Sequence, residues 1–300
     1  MTDSPLRVGM VQRIVPPYRT QLFQLLAQRP ELHLTVLHGL GGTSGQYRSD
    51  TGALPFDHHG FKGCRLGLST RRREYKFPFY PALLKHLHTA PYQVLLLEGA
   101  SNFFNNIFIT RICRKKNIPY VVWDAGRLPG DPPRLNRMIA EPLLRRFYRQ
   151  AAGIVGYGFS ARQYFHSLGI SHHQIHVAHN SVDTHSLRQE AINLADSHQE
   201  ISQHREKLFP GCKRVLLFIG AVEQRKRLDL LLSALEDIPD ATEWGLLVIG
   251  DGAARPALER AASLSRLRKV HFLGHLSDGR GQYFLMADLA VFPGSGSLAI

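Results

Sequence analysis

Residues 214–232 read Arg-Val-Leu-Leu-Phe-Ile-Gly-Ala-Val-Glu-Gln-Arg-Lys-Arg-Leu-Asp-Leu-Leu-Leu, and this stretch decides the fold. Val215 to Ile219 is an unbroken apolar run of strand length, the pattern of a strand covered on both faces. From Arg227 to Leu235 the apolar residues change to helical spacing. Between the two lies Gly220, a residue that lets the chain turn tightly at the carboxyl end of a strand. Open α/β sheets bind their ligands at that end. Arg225, Lys226 and Arg227 are expected at the start of the helix. Cations are unfavourable there, and an anion held on the turn would reverse the sign. A solvated basic turn is the plainer alternative.

The same βα rhythm extends outward. Downstream come strand Trp244–Ile249, helix Pro256–Leu264, strand Val270–Leu273, helix Arg280–Met286 and strand Leu289–Phe292. Each strand is followed by glycine or Pro-Gly: Gly250 and Gly252, then Gly274 with Leu276 just beyond, then Pro293, Gly294 and Ser295. Upstream, Leu6–Ile14, Leu32–Leu37, Val94–Leu97, Ile118–Trp123, Gly153–Gly156 and Ile175–Ala178 read as strands, with helical spacing in Thr20–Gln28, Pro81–His88, Phe103–Lys116, Leu135–Tyr148 and Ser160–Leu168. The polar segment Asp183–Lys213, with a helix over Glu190–Leu208, breaks the rhythm. The expected fold class is therefore α/β with two Rossmann-like domains: an acceptor-side domain over 1–182, a linker with a helix over 183–213, and a donor domain over 214–300. The second block offers four strands where a doubly wound sheet usually has about five or six, so it is expected to be incomplete.

Composition agrees with a chain that builds sizeable cores. Of 300 residues 44% are hydrophobic and 20% charged, which excludes disorder, collagen and small disulfide scaffolds. A net charge of +13 with 16 further histidines draws anions: phosphates, nucleic acid or anionic lipid. Cys64, Cys113 and Cys212 lie too far apart in sequence for a zinc-type pair, and Cys113 falls in an apolar helical context where a thiol packs as a small hydrophobe. The N-terminus has no basic segment ahead of an apolar one, and the longest apolar runs are strand length. A cytoplasmic protein is expected.

Residues 214–295 resemble the donor-binding domain of glycosyltransferase family 4. The family pattern runs Gly-x5-Lys-Gly-x-Asp-x-Leu-Leu, Gly-Asp-Gly, Val-x-Phe-x-Gly, Ala-Asp-x-x-Val-x-Pro-Ser. This chain matches it with Gly220, Lys226, Asp229, Leu230 and Leu231, then Gly250, Asp251 and Gly252, then Val270, Phe272 and Gly274, then Ala287, Asp288, Val291 and Pro293. His179-Asn-Ser-Val-Asp183 is similar to the family's Pro-Asn-Gly-Val-Asp. The resemblance implies a GT-B architecture, two Rossmann-like domains facing each other across a cleft, and sugar transfer from a nucleotide-sugar with retention of configuration. It gives Lys226 the task of stabilising charge on the departing diphosphate. The chain has no Asp-x-Asp metal clamp, so cationic side chains are expected to carry that neutralisation, with no metal and no cofactor.

The departures from the pattern carry their own expectations. Many relatives have Arg directly after the first glycine; here that residue is Ala221, and Arg225 is expected to take its phosphate contact. Where relatives place a histidine on a middle strand of the first domain, this chain reads Tyr120–Asp124, which makes Asp124 the catalytic candidate. The family's Glu-x7-Glu motif would begin just after Ile300, so the chain is expected to be a truncated enzyme, inactive as it stands. Tyr18, Arg19, Glu98 and Asn102, with Asn105, cluster at predicted strand ends of the first domain and are the acceptor-side candidates. The acceptor class implied is a glycan or lipid-linked glycan of bacterial surface polysaccharide synthesis.

Other signals have plainer readings. Gly156-x-Gly158-x-x-Ala161 fits a dinucleotide fingerprint, but the tip of the next strand offers no acidic residue. His172, His173, His176 and His179 crowd together without a Cys or Glu among them. The basic amphipathic helix over Leu135–Tyr148 suits either an anionic membrane surface at its inner face or packing on the sheet. A nucleic-acid-binding α/β protein and a non-catalytic nucleotide-binding remnant are the competing classes. No recognition module supports the first, and the aromatics do not interleave with the basic runs.

Overall fold

The computed structural model describes residues 4–40, 53–70, 73–99, 103–127, 135–194, 197–267, 269–276 and 279–294. The chain divides between Ser181 and Val182 into two compact units. The first contains β1 (Leu6–Gln12), α1 (Pro17–Ala27), β2 (Leu32–Leu40), β3 (His58–Lys62), β4 (Cys64–Thr70), β5 (Arg73–Phe79), α2 (Pro81–Thr89), β6 (Val94–Glu98), α3 (Phe103–Lys116), β7 (Tyr120–Asp124), α4 (Leu135–Arg149), β8 (Gly153–Gly156), α5 (Phe159–Ser167) and β9 (Ile175–Val177). Its main sheet has the order β3-β2-β1-β6-β7-β8-β9, with every pairing parallel.

All six strands expected from the apolar runs are present, and alternate residues explain why those runs lack polar positions. Met10, Leu34 and Val36 pack on one face of the sheet with Phe23 and Trp123. Val11, Leu37, Leu95 and Leu97 pack on the other with Leu83, Ile109 and Phe147. Cys113 lies in that second core, 2% exposed, and burial pushes its thiol pKa up to about 12, so it is an inert packing residue. Three strands were not expected. β3 is an edge strand in which only Phe61 is buried, and the antiparallel hairpin β4–β5 lies apart from the main sheet.

The second unit contains α6 (His185–Asn193), α7 (His198–Leu208), β10 (Arg214–Ile219), α8 (Leu228–Glu236), β11 (Trp244–Ile249), α9 (Arg255–Leu264), β12 (Val270–Gly274), α10 (Gly281–Met286) and β13 (Leu289–Ala290). The segment expected to be a linker with one helix thus forms two helices, and both pack on α10. The four-stranded sheet has the order β12-β11-β10-β13. Leu216 and Phe218 face a core with α8 and α9, while Val215, Leu217 and Ile219 face Phe209 and Met286.

In each unit the strand order reverses at one point. β1 lies between β2 and β6, and β10 lies between β11 and β13. Successive connections leave toward opposite sides there, opening space beyond the carboxyl ends of the strands.

Candidate functional sites in the two units

At the carboxyl end of β10 the chain turns through Gly220, whose φ of +148° only glycine adopts readily. Its N–H donates to the Ile249 carbonyl at 2.9 Å. Gly250 follows β11 at φ +137° and donates to the Gly274 carbonyl at 2.7 Å, and a Cβ there would collide with the Gly220 carbonyl. Gly252 abuts the Val222 carbonyl, which also accepts from the Ala254 N–H, while the Val222 N–H donates to Asp251. Gly274 ends β12 at φ +76°, and Leu276 beyond it packs beside the core of Ile219 and Ile249. At Gly250 and Gly252 the main chain of the β10 loop comes too close to leave room for a side chain.

The basic triplet differs from expectation in one respect. Gln224–Lys226 is a 3-10 turn, and α8 starts only at Leu228. The cause is Arg227, which takes the left-handed conformation, φ +54°, where the family pattern has glycine. Its guanidinium returns to Asp229, with Nη2 donating to Oδ2 at 3.1 Å. Arg225 is exposed and donates to Glu223 at 2.8 Å. Lys226 alone of the three is buried, at 7% exposure. Burial first, and Arg225 second, hold its pKa below the ordinary lysine value.

Pro293 and Gly294 follow β13, and a Cβ on Gly294 would come within 2.8 Å of both the Arg225 carbonyl and the Lys226 Cα. The loop after β13 and the loop after β10 are thus in contact. Ser295 and Asn102 lie outside the described residues. Asp288 of the Ala-Asp motif works at the other end of the sheet. It accepts from the Val215 N–H and from Arg205, each at 2.7 Å, and so ties α7 to the start of β10.

In the first unit Asp124 ends β7 and is buried, 9% exposed. Its Oδ2 accepts from the Tyr148 hydroxyl at 2.5 Å and its Oδ1 from the Gly126 N–H at 3.0 Å, so both oxygens hold local structure. Glu98 ends β6 and accepts from the Arg13 N–H at 2.6 Å. Asn105 is a structural clip, accepting from the Tyr80 N–H at 3.0 Å and donating to the Pro78 carbonyl at 2.9 Å. Tyr18 is exposed, whereas Arg19 is buried among Trp123, Tyr157 and Tyr18. Gln12, Trp123 and Tyr157 are not singled out as site residues by the sequence, because nothing local shows that these three strand-end side chains gather around Arg19.

On α4 the apolar face is core: Leu144, Phe147 and Tyr148 are buried, while Leu143, Arg145, Arg146 and Arg149 are exposed. The His166 and His172 rings stack at 3.8 Å. Among the described residues no three His, Cys, Asp or Glu side chains gather in a metal-ligating group, and no helix is long and apolar enough to cross a membrane.

The sequence pattern described as Glycosyltransferase Family 4 matches residues 33–186, just over half of the chain. This chain belongs to glycosyltransferase family 4. A second pattern, described as Glycosyl transferases group 1, matches residues 213–298 of the family 4 chain and so spans the glycine loops and Lys226. D-rhamnosyltransferase WbpZ of Pseudomonas aeruginosa is 35% identical over 96 residues, 32% of this chain and 23% of that protein, so the match spans under a quarter of the relative's length. HepE of Anabaena, solved with UDP and glucose, matches with a TM-score of 0.68 at 16% identity over 98% of this chain and 76% of HepE. WaaG, a glycosyltransferase involved in lipopolysaccharide biosynthesis, matches with a TM-score of 0.63 at 14% identity over 96% of this chain and 75% of its own. At such identities the likeness is one of fold. This family 4 chain has the GT-B fold class, with two Rossmann-like units.

Proposed function

We propose that the chain binds the nucleoside diphosphate of a nucleotide-sugar for sugar transfer, with retention of configuration, to a glycan or lipid-linked acceptor of surface polysaccharide synthesis. The diphosphate is held on the turn from Gly220 to Arg227. The observation that carries this is Lys226. A cation kept nine-tenths buried, with its pKa held down by burial, stands on a loop that touches both the Gly252 loop and Gly294. A buried ammonium on glycine-rich loops at a strand's carboxyl end stands where open α/β sheets bind ligands, and a diphosphate is a ligand of complementary charge.

Charge grows on the diphosphate as the glycosidic bond breaks. A fixed ammonium then stabilises the transition state more than the ground state. In this reading Lys226 supplies the neutralisation without a metal ion. Glycine at 220, 250, 252 and 274 leaves the loops without side chains that would keep the phosphates and the nucleoside away from the main chain. Arg225, neutralised by Glu223, reaches the diphosphate only by giving up that pair. Tyr18, Arg19 and Glu98 are assigned to the acceptor. Asp124 is assigned a positioning role, holding the turn at Gly126 through the hydrogen bonds it already makes. The exposed arginines of α4 around Leu143 are assigned to an anionic membrane surface.

The test is thermal stabilisation of the intact chain by UDP, GDP and ADP. A saturable rise in Tm with at least one of them is the expected result. Salt-sensitive retention of an oligonucleotide with no response to any nucleoside diphosphate would overturn the assignment.

A further inference from the structure

The carboxyl end of the first unit's sheet holds a buried cation and two further donors whose hydrogen bonding is incomplete among the described residues. Arg19 is 6% exposed, and its guanidinium carbon lies 4.5 Å from the centroid of the Trp123 ring and 5.5 Å from that of Tyr157. Nη1 donates to Gln12 Oε1 at 3.1 Å and Nη2 to the Tyr157 hydroxyl at 2.6 Å. Neither acceptor is charged. Burial holds the Tyr157 pKa up at about 12 against the pull of Arg19, so this hydroxyl does not serve as a phenolate counter-ion. No carboxylate pairs with Arg19 among the described residues.

Among the buried nitrogens of the described residues without a hydrogen-bond partner, three belong to this cluster: Arg19 Nε, Gln12 Nε2 and Trp123 Nε1. Their residues are 6%, 1% and 7% exposed. Covalent geometry keeps them in one small volume. Gln12 Nε2 shares a carbon with the oxygen bound to Arg19, and Trp123 Nε1 belongs to the ring that carries the guanidinium. They come from β1, α1 and β7, and β1 is the strand at which the order of this sheet reverses.

We propose that Gln12, Arg19 and Trp123 form a buried oxyanion subsite that receives a phosphate or carboxylate group carried by the acceptor. Three donors and a cation with no hydrogen-bonded carboxylate among the described residues call for a ligand that only accepts and is negative. Phosphate and carboxylate oxygens meet both conditions. A sugar hydroxyl brings a hydrogen of its own and no charge. Tyr18, 42% exposed beside the guanidinium, is the solvent-side wall. The subsite stands on the first unit alone, and its assignment to the acceptor rests on the sugar-transfer reading above.

The chain has two tryptophans, so Trp244→Phe leaves Trp123 as the sole indole reporter. Inorganic phosphate and glucuronate are titrated separately at constant ionic strength, with chloride as the control. A saturable change in Trp123 emission is expected, and the stronger of the two anions identifies the group. Arg19→Gln should weaken the apparent affinity by about tenfold or more, the loss typical of a charge-assisted hydrogen bond. Trp123→Phe, read by thermal shift, keeps the stacked ring but removes the donor and should weaken binding in the same direction; it carries the test if Arg19→Gln does not fold. Lys226→Met should leave the phosphate response intact. The subsite is refuted if neither anion exceeds chloride, if the response survives both first-unit substitutions, or if Lys226→Met abolishes it. A chain that answers phosphate at Trp123 but no nucleoside diphosphate keeps the subsite and loses the transfer reading; the reverse result does the opposite.

Discussion

Replacing Lys226 by Met separates what this side chain does for a ligand from what it does for the fold. Met fills a similar volume at a site 7% exposed, so the stability of the ligand-free chain should hold within about 1.5 kcal/mol. The diphosphate loses a charge-assisted contact, about 1.5–3 kcal/mol, which is an affinity loss of about 10- to 150-fold. At a nucleotide concentration near 100 times Kd the wild type gains about 2.7 kcal/mol, or roughly 5–10 °C in Tm. With Kd raised about 30-fold the gain falls to about 0.9 kcal/mol, or roughly 2–3 °C. Differential scanning fluorimetry with UDP, GDP and ADP reads both quantities. A second readout comes from pH. Because the folded pKa of Lys226 is below that of the unfolded chain, the unfolded state binds more protons between the two values. Wild-type stability should therefore gain a contribution as pH rises through that window, ending near the ordinary lysine value of about 10.4, and Lys226→Met should lose it. Nucleotide shifts identical in the two proteins would refute the reasoning, because they would place the phosphates away from this turn.

Four further outcomes are expected. Gly294→Ala brings a Cβ within 2.8 Å of the Arg225 carbonyl and the Lys226 Cα, so it should displace the turn at Lys226, cost about 1–3 kcal/mol and weaken nucleotide binding in the same fluorimetry. Arg227→Gly removes a left-handed non-glycine residue and its exposed pair with Asp229; the balance should be a stability gain of up to about 1 kcal/mol by urea unfolding, and a loss would mean that the pair outweighs the backbone. Burial pushes the Asp288 carboxyl up, but Arg205, the Val215 N–H and Arg214 outweigh it and hold the pKa below the usual range. Its stabilising contribution is therefore complete above about pH 4 and lost as pH falls through the folded value, and Asp288→Asn should flatten that part of the acid unfolding curve. Tyr148→Phe leaves Asp124 Oδ2 without its 2.5 Å partner in a buried site and should cost about 1–3 kcal/mol by chemical denaturation, whereas a neutral result would show that water replaces the hydroxyl.

The parts of the fold read correctly from sequence are those written locally. β10, β11 and β1 are apolar without alternation because both faces of each sheet are covered, a pattern visible in a few consecutive residues. Where that pattern is weak the reading failed. β3 buries only Phe61, so its residues look like a loop, and the two helices α6 and α7 were merged because their polar sequences carry little periodicity. The α8 start was misplaced by one residue because a left-handed Arg227 has no signature of its own.

The glycines at strand ends mark close-approach loops from sequence alone, since the lack of a Cβ is a property of the residue itself. Which loops touch was decided by the tertiary structure. Parallel pairing of β13 with β10 carries Gly294 onto Lys226, and β11 carries Gly250 onto Gly220. The burial of Lys226, and the cage of Gln12, Trp123 and Tyr157 around Arg19, arise only when strands distant in sequence lie side by side. Periodicity and backbone freedom are properties of short segments, whereas desolvation and charge compensation depend on everything that surrounds a group in space.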